Sequence, residues 1–278
     1  MRWIFLLALL LSSLLSAQPV PQPPQRVMSI SLCTDQLALE LAAPGQLASV
    51  SWVAHDPHES LIADQVKALH RNQASIEEII AFKPDLVLAS VWNNPYLLQQ
   101  IESSGIDLYR MPDAQTLAQI EQNYHAVFAR LHGTAAVLPE LDWPDQTSTD
   151  SLADKPKALA LQVGGWTASA PSLIDEFITL LGMHNLAQDA GVQGWGQVDL
   201  EAVLRLQPDW LFFISSAADE GGLSLKEQYL QHPALRDAPF QSLSLPSGHF
   251  GCGTHALVEL AEQTRKTIAE RTAQLGQP

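Results

Sequence analysis

The sequence predicts an α/β protein built from two similar halves. Strand-like and helix-like segments alternate along most of the chain, which is typical of sheets with helices packed on their faces. One short element also occurs twice, as IEEIIAFKPDLVL over residues 76–88 and as LEAVLRLQPDWLF over residues 200–212. The distance between the copies is too long for a solenoid repeat and fits a duplicated lobe.

The first half follows a β-α-β-α-β order. A strand over residues 26–31 precedes a helix over 34–43, with Thr34 or Asp35 as its N-cap. Ser75 is expected to cap the first copy of the repeated helix, and Pro84 to end it. The other expected elements are strands over 47–52, 85–90 and 106–111 and a helix over 94–105. This order predicts a mostly parallel sheet.

The second half repeats the alternation after a break. Residues 116–133 have the pattern of a long helix, and a proline-containing polar stretch follows it. We then expect strands over 157–163, 209–215 and 240–246 and helices over 172–182, 200–207, 224–235 and 254–274. The predicted boundaries are an N-terminal lobe over 26–113, an interlobe helix and connector over 114–156, and a C-terminal lobe over 157–278.

The N-terminus has the pattern of a targeting segment. Arg2 precedes an apolar run that ends in small residues at Ser16 and Ala17, so residues 1–17 are predicted to be a cleavable secretory signal peptide. A membrane anchor is the alternative, but the run is shorter than the roughly 20 apolar residues a spanning helix needs. The proline-rich residues 18–25 are predicted to be a disordered leader.

Charge and cysteine content narrow the class of protein. The formal net charge of −15 disfavours nucleic acid as a partner, because phosphates would be repelled, and it suits a soluble exported protein. The two cysteines, Cys33 and Cys252, allow one disulfide but do not make a disulfide-built scaffold.

Aromatic residues follow the predicted strands, where open α/β sheets bind their ligands. Flat aromatic walls suit a large, partly apolar ligand such as a corrin, a porphyrin or a siderophore. The candidate ligand-binding residues in these loops are Cys33, Trp52, His55, Trp92, Trp166, Trp195, Phe250 and Cys252.

The two cysteines leave several alternatives open. Cys33 and Cys252 are expected to face each other at the cleft, either as a disulfide or as two thiols available to a ligand metal. His249, Cys252 and His255 have the spacing of a possible transition-metal site, although such clusters also arise easily in surface loops. Cys252 with a nearby histidine could also be an enzyme's nucleophile and base. Since no other catalytic motif accompanies them, we predict a binding protein and not an enzyme.

The chain resembles one family in several of these features together. They are the signal peptide, the opening strand RVMSIS, the two repeated elements and the GWGQV stretch before the second copy. This combination resembles the periplasmic substrate-binding proteins that take iron–siderophore complexes, cobalamin and haem to ABC importers. The resemblance covers residues 26–270, and the segment over 33–57 is most similar to binders of cobalamin and related metal chelates.

The resemblance implies a fold and a ligand. We expect two Rossmann-like lobes bridged by one long helix, with the ligand in the cleft between them. Pro139 and Pro144 fall where that helix would continue, so we expect it to be short, broken or replaced by a loop. The expected cargo is cobalamin or another corrinoid first, then a ferric siderophore or haem, with no intrinsic cofactor. Direct binding of a metal ion by His249, Cys252 and His255 is the alternative.

The resemblance also implies a partner for a periplasmic monomer. Members of this family present one carboxylate per lobe to arginine pockets on the two permease subunits of the importer. By motif position these carboxylates are Glu77 and Glu201, which otherwise read as ordinary acids in the first turn of a helix. One matching glutamate in each half favours docking. Glu78 is the bystander, because Ala202 stands at its place in the second copy.

Overall fold

The computed structural model describes residues 22–134, 136–138, 155–215, 232–236 and 238–275. The predicted signal peptide, the two prolines of the connector and most of the helix predicted over 224–235 lie outside these residues. Within the described part of the chain, no helix is both long enough and apolar enough to cross a membrane.

The N-terminal lobe is a five-stranded parallel sheet with the strand order β3-β2-β1-β4-β5. All five residues of β4 are buried, as expected for a strand covered on both faces. The strands are β1 (Val27–Ser29), β2 (Leu47–Ser51), β3 (His70–Asn72), β4 (Leu86–Ser90) and β5 (Leu108–Met111). The helices are α1 (Leu32–Leu41), α2 (Ile76–Phe82) and α3 (Pro95–Ser103).

The interlobe helix is α4 (Leu117–His132), which confirms the helix predicted over this stretch. Thr116 caps it by accepting a hydrogen bond from Gln119 N, and Gly133 ends it with a φ of 87°. The helix therefore ends before Pro139 is reached. Its apolar face packs on the N-terminal lobe, with Ile120, Tyr124 and Leu131 fully buried.

The C-terminal lobe is a four-stranded parallel sheet with the strand order β11-β10-β6-β8, and a two-stranded antiparallel ribbon of β7 and β9 accompanies it. The two parallel sheets confirm the predicted two-lobed α/β class, whereas the ribbon falls in stretches predicted to be loops. The strands are β6 (Lys157–Leu161), β7 (Trp166–Ala168), β8 (His184–Asn185), β9 (Trp195–Gln197), β10 (Trp210–Ser215) and β11 (Gln241–Pro246). The helices are α5 (Leu173–Leu180), α6 (Leu200–Leu206), α7 (Pro233–Arg236) and α8 (Ala256–Leu275).

The repeated element adopts the same local structure twice. Its helices, α2 and α6, are capped by Ser75 and Asp199, which accept hydrogen bonds from Glu78 N and Ala202 N. Each helix ends at a residue in the left-handed region, with φ of 53° at Lys83 and 49° at Gln207. A buried proline then turns the chain into β4 or β10. The sequence repeat is therefore a structural repeat.

The aspartate after each proline fastens two strands together. Asp85 accepts hydrogen bonds from Gln25 N at 2.6 Å and Arg26 N at 2.9 Å, just before β1. Asp209 accepts one from Lys157 N at 2.7 Å, at the start of β6. The aspartate of the Pro-Asp pair thus has a structural role in both lobes, because it accepts hydrogen bonds from backbone N–H groups at the amino ends of β1 and β6.

The end of the predicted leader is ordered, which corrects the prediction for residues 24–25. The Pro24 carbonyl accepts a hydrogen bond from Gln46 Nε2 at 2.8 Å, and Gln25 N donates to Asp85. Gln46 is buried and also donates to the Leu131 carbonyl at 2.7 Å. These side chains extend the folded lobe two residues beyond its predicted start, because they provide partners for the backbone of the leader.

The two lobes are joined by a shared apolar cluster and by hydrogen bonds of α4. A single apolar cluster runs from β1 and α1 through α4 to β10 and α8. Tyr124 of α4 donates a hydrogen bond to Glu40 Oε2 at 2.7 Å and accepts one from His255 N at 3.0 Å. The interlobe helix is therefore bonded to α1 on one side and to the residue before α8 on the other.

Candidate ligand cleft between the lobes

A cavity of about 490 Å³ lies between the lobes and is lined by both of them. Its walls come mainly from loops at the carboxyl ends of strands, which is where open α/β sheets place their ligands, and also from the first turns of α1 and α5 and from β9. The lining residues are Leu32, Glu59, Trp92, Asp113, Ala114, Gln115, Gln162, Ser172, Leu173, Ile174, Trp195, Ser247, Gly248, Phe250, Gly251 and Cys252.

Two tryptophans from opposite lobes face this cavity. Trp92 follows β4 and is 76% exposed, and Trp195 begins β9 and is 53% exposed. By contrast, Trp210 lies inside β10 with 6% of its surface exposed and stacks on Phe212. Exposure of such large apolar rings is unfavourable in water, so a pair of them across a cleft is typical of a ligand site.

The other two candidate tryptophans are exposed but do not line the cavity. In the antiparallel register of the ribbon, Trp166 pairs with Gln197 and Ala168 pairs with Trp195. Trp166 therefore shares a face of the ribbon with Trp195 and extends the aromatic surface beyond the cavity. Trp52 follows β2 and is 44% exposed, outside the residues that form the cavity walls.

The charge of the cavity is negative. Glu59 and Asp113 both belong to its lining and are exposed, and no lysine or arginine is among the described lining residues. The polar remainder consists of uncharged amides and hydroxyls. Sequence reasoning did not single out Asp113, although it follows β5 and the rule that selected the other loops would have found it.

A disulfide joins the lobes in the cavity wall. Cys33, in the first turn of α1, is bonded to Cys252, and their Cα atoms are 4.8 Å apart. Of the two alternatives for these cysteines, the disulfide is confirmed and the pair of free thiols is wrong. Neither sulfur is then a thiolate, so Cys252 is not a metal ligand or a nucleophile.

The metal site predicted from His249, Cys252 and His255 is therefore wrong. The described residues contain no group of three histidine, cysteine, aspartate or glutamate side chains placed to hold a metal ion. His249 and His255 border a separate cavity of about 420 Å³ together with Glu40 and Glu259. Burial lowers the pKa of His249, while the nearby Glu259 carboxylate opposes that shift. The short spacing of His249, Cys252 and His255 in the sequence was misleading, because the sulfur of Cys252 is used in the disulfide.

Two further candidates, one half-buried and one buried, offer little open surface to the cavity. His55 does not line the cavity, and its Nε2 is buried with no hydrogen-bond partner among the described residues. Burial, with a smaller contribution from Arg71, lowers the pKa of His55. Phe250 borders the cavity but is 9% exposed, with its ring centroid 5.2 Å from that of Phe177. Phe250 therefore forms the floor of the cavity.

A buried carboxylate holds the loop that carries Trp52. Asp35 of α1 is fully buried and accepts hydrogen bonds from Ser51 N at 3.1 Å and from the Ser51 hydroxyl. Burial raises the pKa of Asp35 to about 6, although the hydrogen bonds from Ser29 and Ser51 oppose the shift. Sequence reasoning treated Asp35 only as a helix cap, because its burial depends on the packing of α1 against β2.

The two repeated glutamates are exposed in the first turn of α2 and of α6. Neither Glu77 nor Glu201 forms a hydrogen bond or an ion pair with another residue of the described chain. Glu78, the predicted bystander, instead accepts a hydrogen bond from Gln73 N at 2.7 Å and belongs to the start of its own helix. Each helix leads directly into a parallel strand, β4 or β10, so its first turn lies towards the carboxyl edge of the sheet. Both exposed glutamates therefore lie at the edge of their lobe that carries the cleft.

Comparison with known proteins places this geometry in a family. No protein-family model matches the chain. A vitamin B12-binding protein of Pectobacterium atrosepticum is 30% identical over 211 residues, which is 71% of this chain and 74% of that protein.

Solved structures show the same fold at lower identity. The periplasmic haem-binding protein HutB of Vibrio cholerae is similar with a TM-score of 0.64 and 18% identity, over 88% of this chain and 98% of that one. The periplasmic vitamin B12-binding protein BtuF of the same organism is similar with a TM-score of 0.58 and 20% identity, over 90% and 99%. With two parallel-sheet lobes, a cleft at their carboxyl edges and this sequence identity, the chain belongs to the periplasmic binding-protein family for iron chelates, haem and vitamin B12.

Proposed function

We propose that this protein captures a corrinoid in the cleft between its lobes and delivers it to an ABC importer in the inner membrane. The observation that carries the proposal is the pair of exposed rings, Trp92 and Trp195, which come from different lobes and border one cavity. A flat macrocycle offers each ring an apolar face, and the cavity of about 490 Å³ is in the range of small-molecule sites.

The charge of the cleft ranks the possible ligands. Haem carries two propionate carboxylates, which Glu59 and Asp113 would repel without a lysine or arginine in the described lining to offset them. The corrin ring of cobalamin instead carries neutral acetamide and propionamide groups, whose N–H groups can donate to these carboxylates. A corrinoid is therefore favoured over haem.

The protein supplies no resident cofactor in this proposal. The metal arrives inside the chelate, and the chain provides aromatic faces, carboxylates and amides that bind the periphery of the ligand. The relatives are binding proteins, and the disulfide at Cys252 leaves the proposed Cys/His enzyme without its nucleophile. We infer binding without turnover.

Delivery requires contact with the membrane partner. We assign Glu77 and Glu201 to docking, one on each permease subunit, where an arginine can form a bidentate, charge-assisted pair with each carboxylate. Their exposure, their lack of a partner in the described chain and their positions beside the cleft support this role. Export of a monomer to the periplasm through the signal peptide over 1–17 completes the proposal.

Two tryptophans of similar chemistry but different position test the proposal. The mature protein is titrated with cyanocobalamin while the quenching of tryptophan emission is followed. We expect Trp92→Ala and Trp195→Ala to weaken binding about 10- to 100-fold, since each removes one apolar wall. The control Trp52→Ala removes an exposed ring outside the cavity and should leave the affinity within about twofold of the unaltered protein.

The comparison between variants decides the outcome. If the unaltered protein does not bind cyanocobalamin, the proposed cargo is wrong. If Trp52→Ala and Trp92→Ala weaken binding equally, the cavity described above is not the binding site.

A further inference from the structure

The repeated helices share a second exposed residue besides the glutamate. Ile80 of α2 is 51% exposed and Leu204 of α6 is 36% exposed. In the gap-free alignment of the two copies they occupy the same place, three residues after Glu77 and Glu201. Residues three apart on a helix lie on the same face, so each lobe presents a carboxylate next to an aliphatic side chain.

The two helices are seated in their lobes in the same way. Ile79 and Val203, which precede the exposed aliphatic residues, are buried, and so are Pro84 and Pro208 beyond them. Ile80 and Leu204 therefore occupy equivalent positions on their helices. Their surroundings differ in one respect, because Leu204 also borders a cavity of about 600 Å³ with Pro208 and Phe240.

General similarity between the copies does not explain this match. The next position is also exposed in both helices, and there the copies differ completely, with Ala81 in one and Arg205 in the other. A single exposed aliphatic residue would need no explanation. Its presence at the same place in both lobes, each time beside a carboxylate without a partner in the described chain, indicates one kind of covering surface used twice.

We propose that Ile80 and Leu204 are apolar anchors for the two transmembrane subunits of the importer. This inference rests on the proposed docking of Glu77 and Glu201. It adds the residues that would exclude water from the contact between each glutamate and the importer. The charge of the patch defines the partner, which must present a cation next to an apolar surface, and the duplication requires two such places. Burial of each aliphatic side chain removes water from the adjacent ion pair and thereby strengthens it.

Binding to the importer measures this directly. The importer is purified from the native inner membrane and reconstituted in nanodiscs, and its affinity for each variant is determined. We expect Ile80→Ser and Leu204→Ser each to weaken binding about 5- to 10-fold, and the double variant about 30- to 100-fold. Cyanocobalamin affinity should not change, because both side chains lie outside the ligand cavity. Leu204 is 36% exposed and borders a second cavity, so importer binding is compared per folded molecule, with the midpoint of thermal unfolding measured for each variant.

Matched variants separate an anchor from a nonspecific effect. Ile80→Leu and Leu204→Ile keep the apolar area and should bind the importer almost as well as the unaltered protein. Val137→Ser removes an aliphatic side chain that is 87% exposed outside both helices, and it should have no effect. Weakening by Val137→Ser equal to that by Ile80→Ser would overturn the assignment.

The glutamates distinguish failure of the anchors from failure of the docking proposal. If Glu77→Ala with Glu201→Ala abolishes binding while the double serine variant binds normally, the anchors are wrong and the docking proposal stands. If neither pair of substitutions changes binding, both are wrong.

Discussion

The two ends of the repeated element differ in how their shared residues are used. At the C-terminal end, Asp85 and Asp209 accept backbone hydrogen bonds from the neighbouring strand of their own lobe. At the N-terminal end, Glu77 and Glu201 have no partner in the described chain and flank the cleft. The packing of the lobe explains the identity at one end, and the docking proposed above would explain it at the other.

The largest effect should come from the glutamate end. We expect Glu77→Ala with Glu201→Ala to lower importer-coupled uptake by more than about 100-fold, because two charge-assisted pairs are lost. Ligand affinity should remain unchanged. Uptake of labelled cyanocobalamin into cells and tryptophan quenching in solution measure the two quantities.

Glu78 is the control for this prediction. It lies next to Glu77 but bonds to Gln73 N, so Glu78→Ala should reduce stability slightly and leave uptake intact. Normal uptake by the double glutamate variant would mean that both ends of the element are merely structural.

Much of the fold, but less of the candidate site, could be predicted from the sequence. Both lobes, α4 and the twin helices follow from hydrophobic periodicity and capping residues, which are local signals. The ribbon of β7 and β9 was missed because strands of three residues are too short to show an alternating pattern. Sequence spacing also could not decide between a disulfide and free thiols at Cys33 and Cys252, since that depends on how the two lobes pack.

The disulfide between Cys33 and Cys252 is a stabilising contact beside the ligand cavity. We expect Cys33→Ser with Cys252→Ser to lower the free energy of unfolding by about 2–5 kcal/mol, because the bond closes a very long loop and joins the lobes. Urea unfolding of the variant and of the unaltered protein, with and without a reductant, measures the difference. A reductant that destabilises the double serine variant as much as the unaltered protein would contradict this prediction.

The raised pKa of Asp35 predicts that the stability of the protein depends on pH. Its pKa is raised in the folded protein to about 6 from 3.8, so the folded state binds this proton more tightly than the unfolded state. Its contribution to the free energy of unfolding should therefore fall by up to about 3 kcal/mol as the pH rises from about 4 to about 7. The difference between the unaltered protein and Asp35→Asn, followed by urea unfolding across this range, isolates that contribution. A difference independent of pH would show that folding leaves the pKa of Asp35 unchanged.

The smallest effect is expected at the Pro-Asp end. Asp85→Ala and Asp209→Ala should each reduce the free energy of unfolding by about 1 kcal/mol, because exposed backbone donors lose a partner that water replaces in part. Neither substitution should change importer-coupled uptake per folded molecule. A loss of uptake without a loss of stability would mean that this end also meets the partner.

Competition among ligands tests the central claim of a corrinoid-binding cleft most directly. Ligand-free protein is dialysed against an equimolar mixture of cyanocobalamin, haem and ferrichrome, and the retained chromophore is identified by its visible absorption spectrum. We predict retention of cyanocobalamin, and a shift towards haem when Glu59→Gln and Asp113→Asn remove the carboxylates of the cavity. Retention of haem by the unaltered protein would contradict the account.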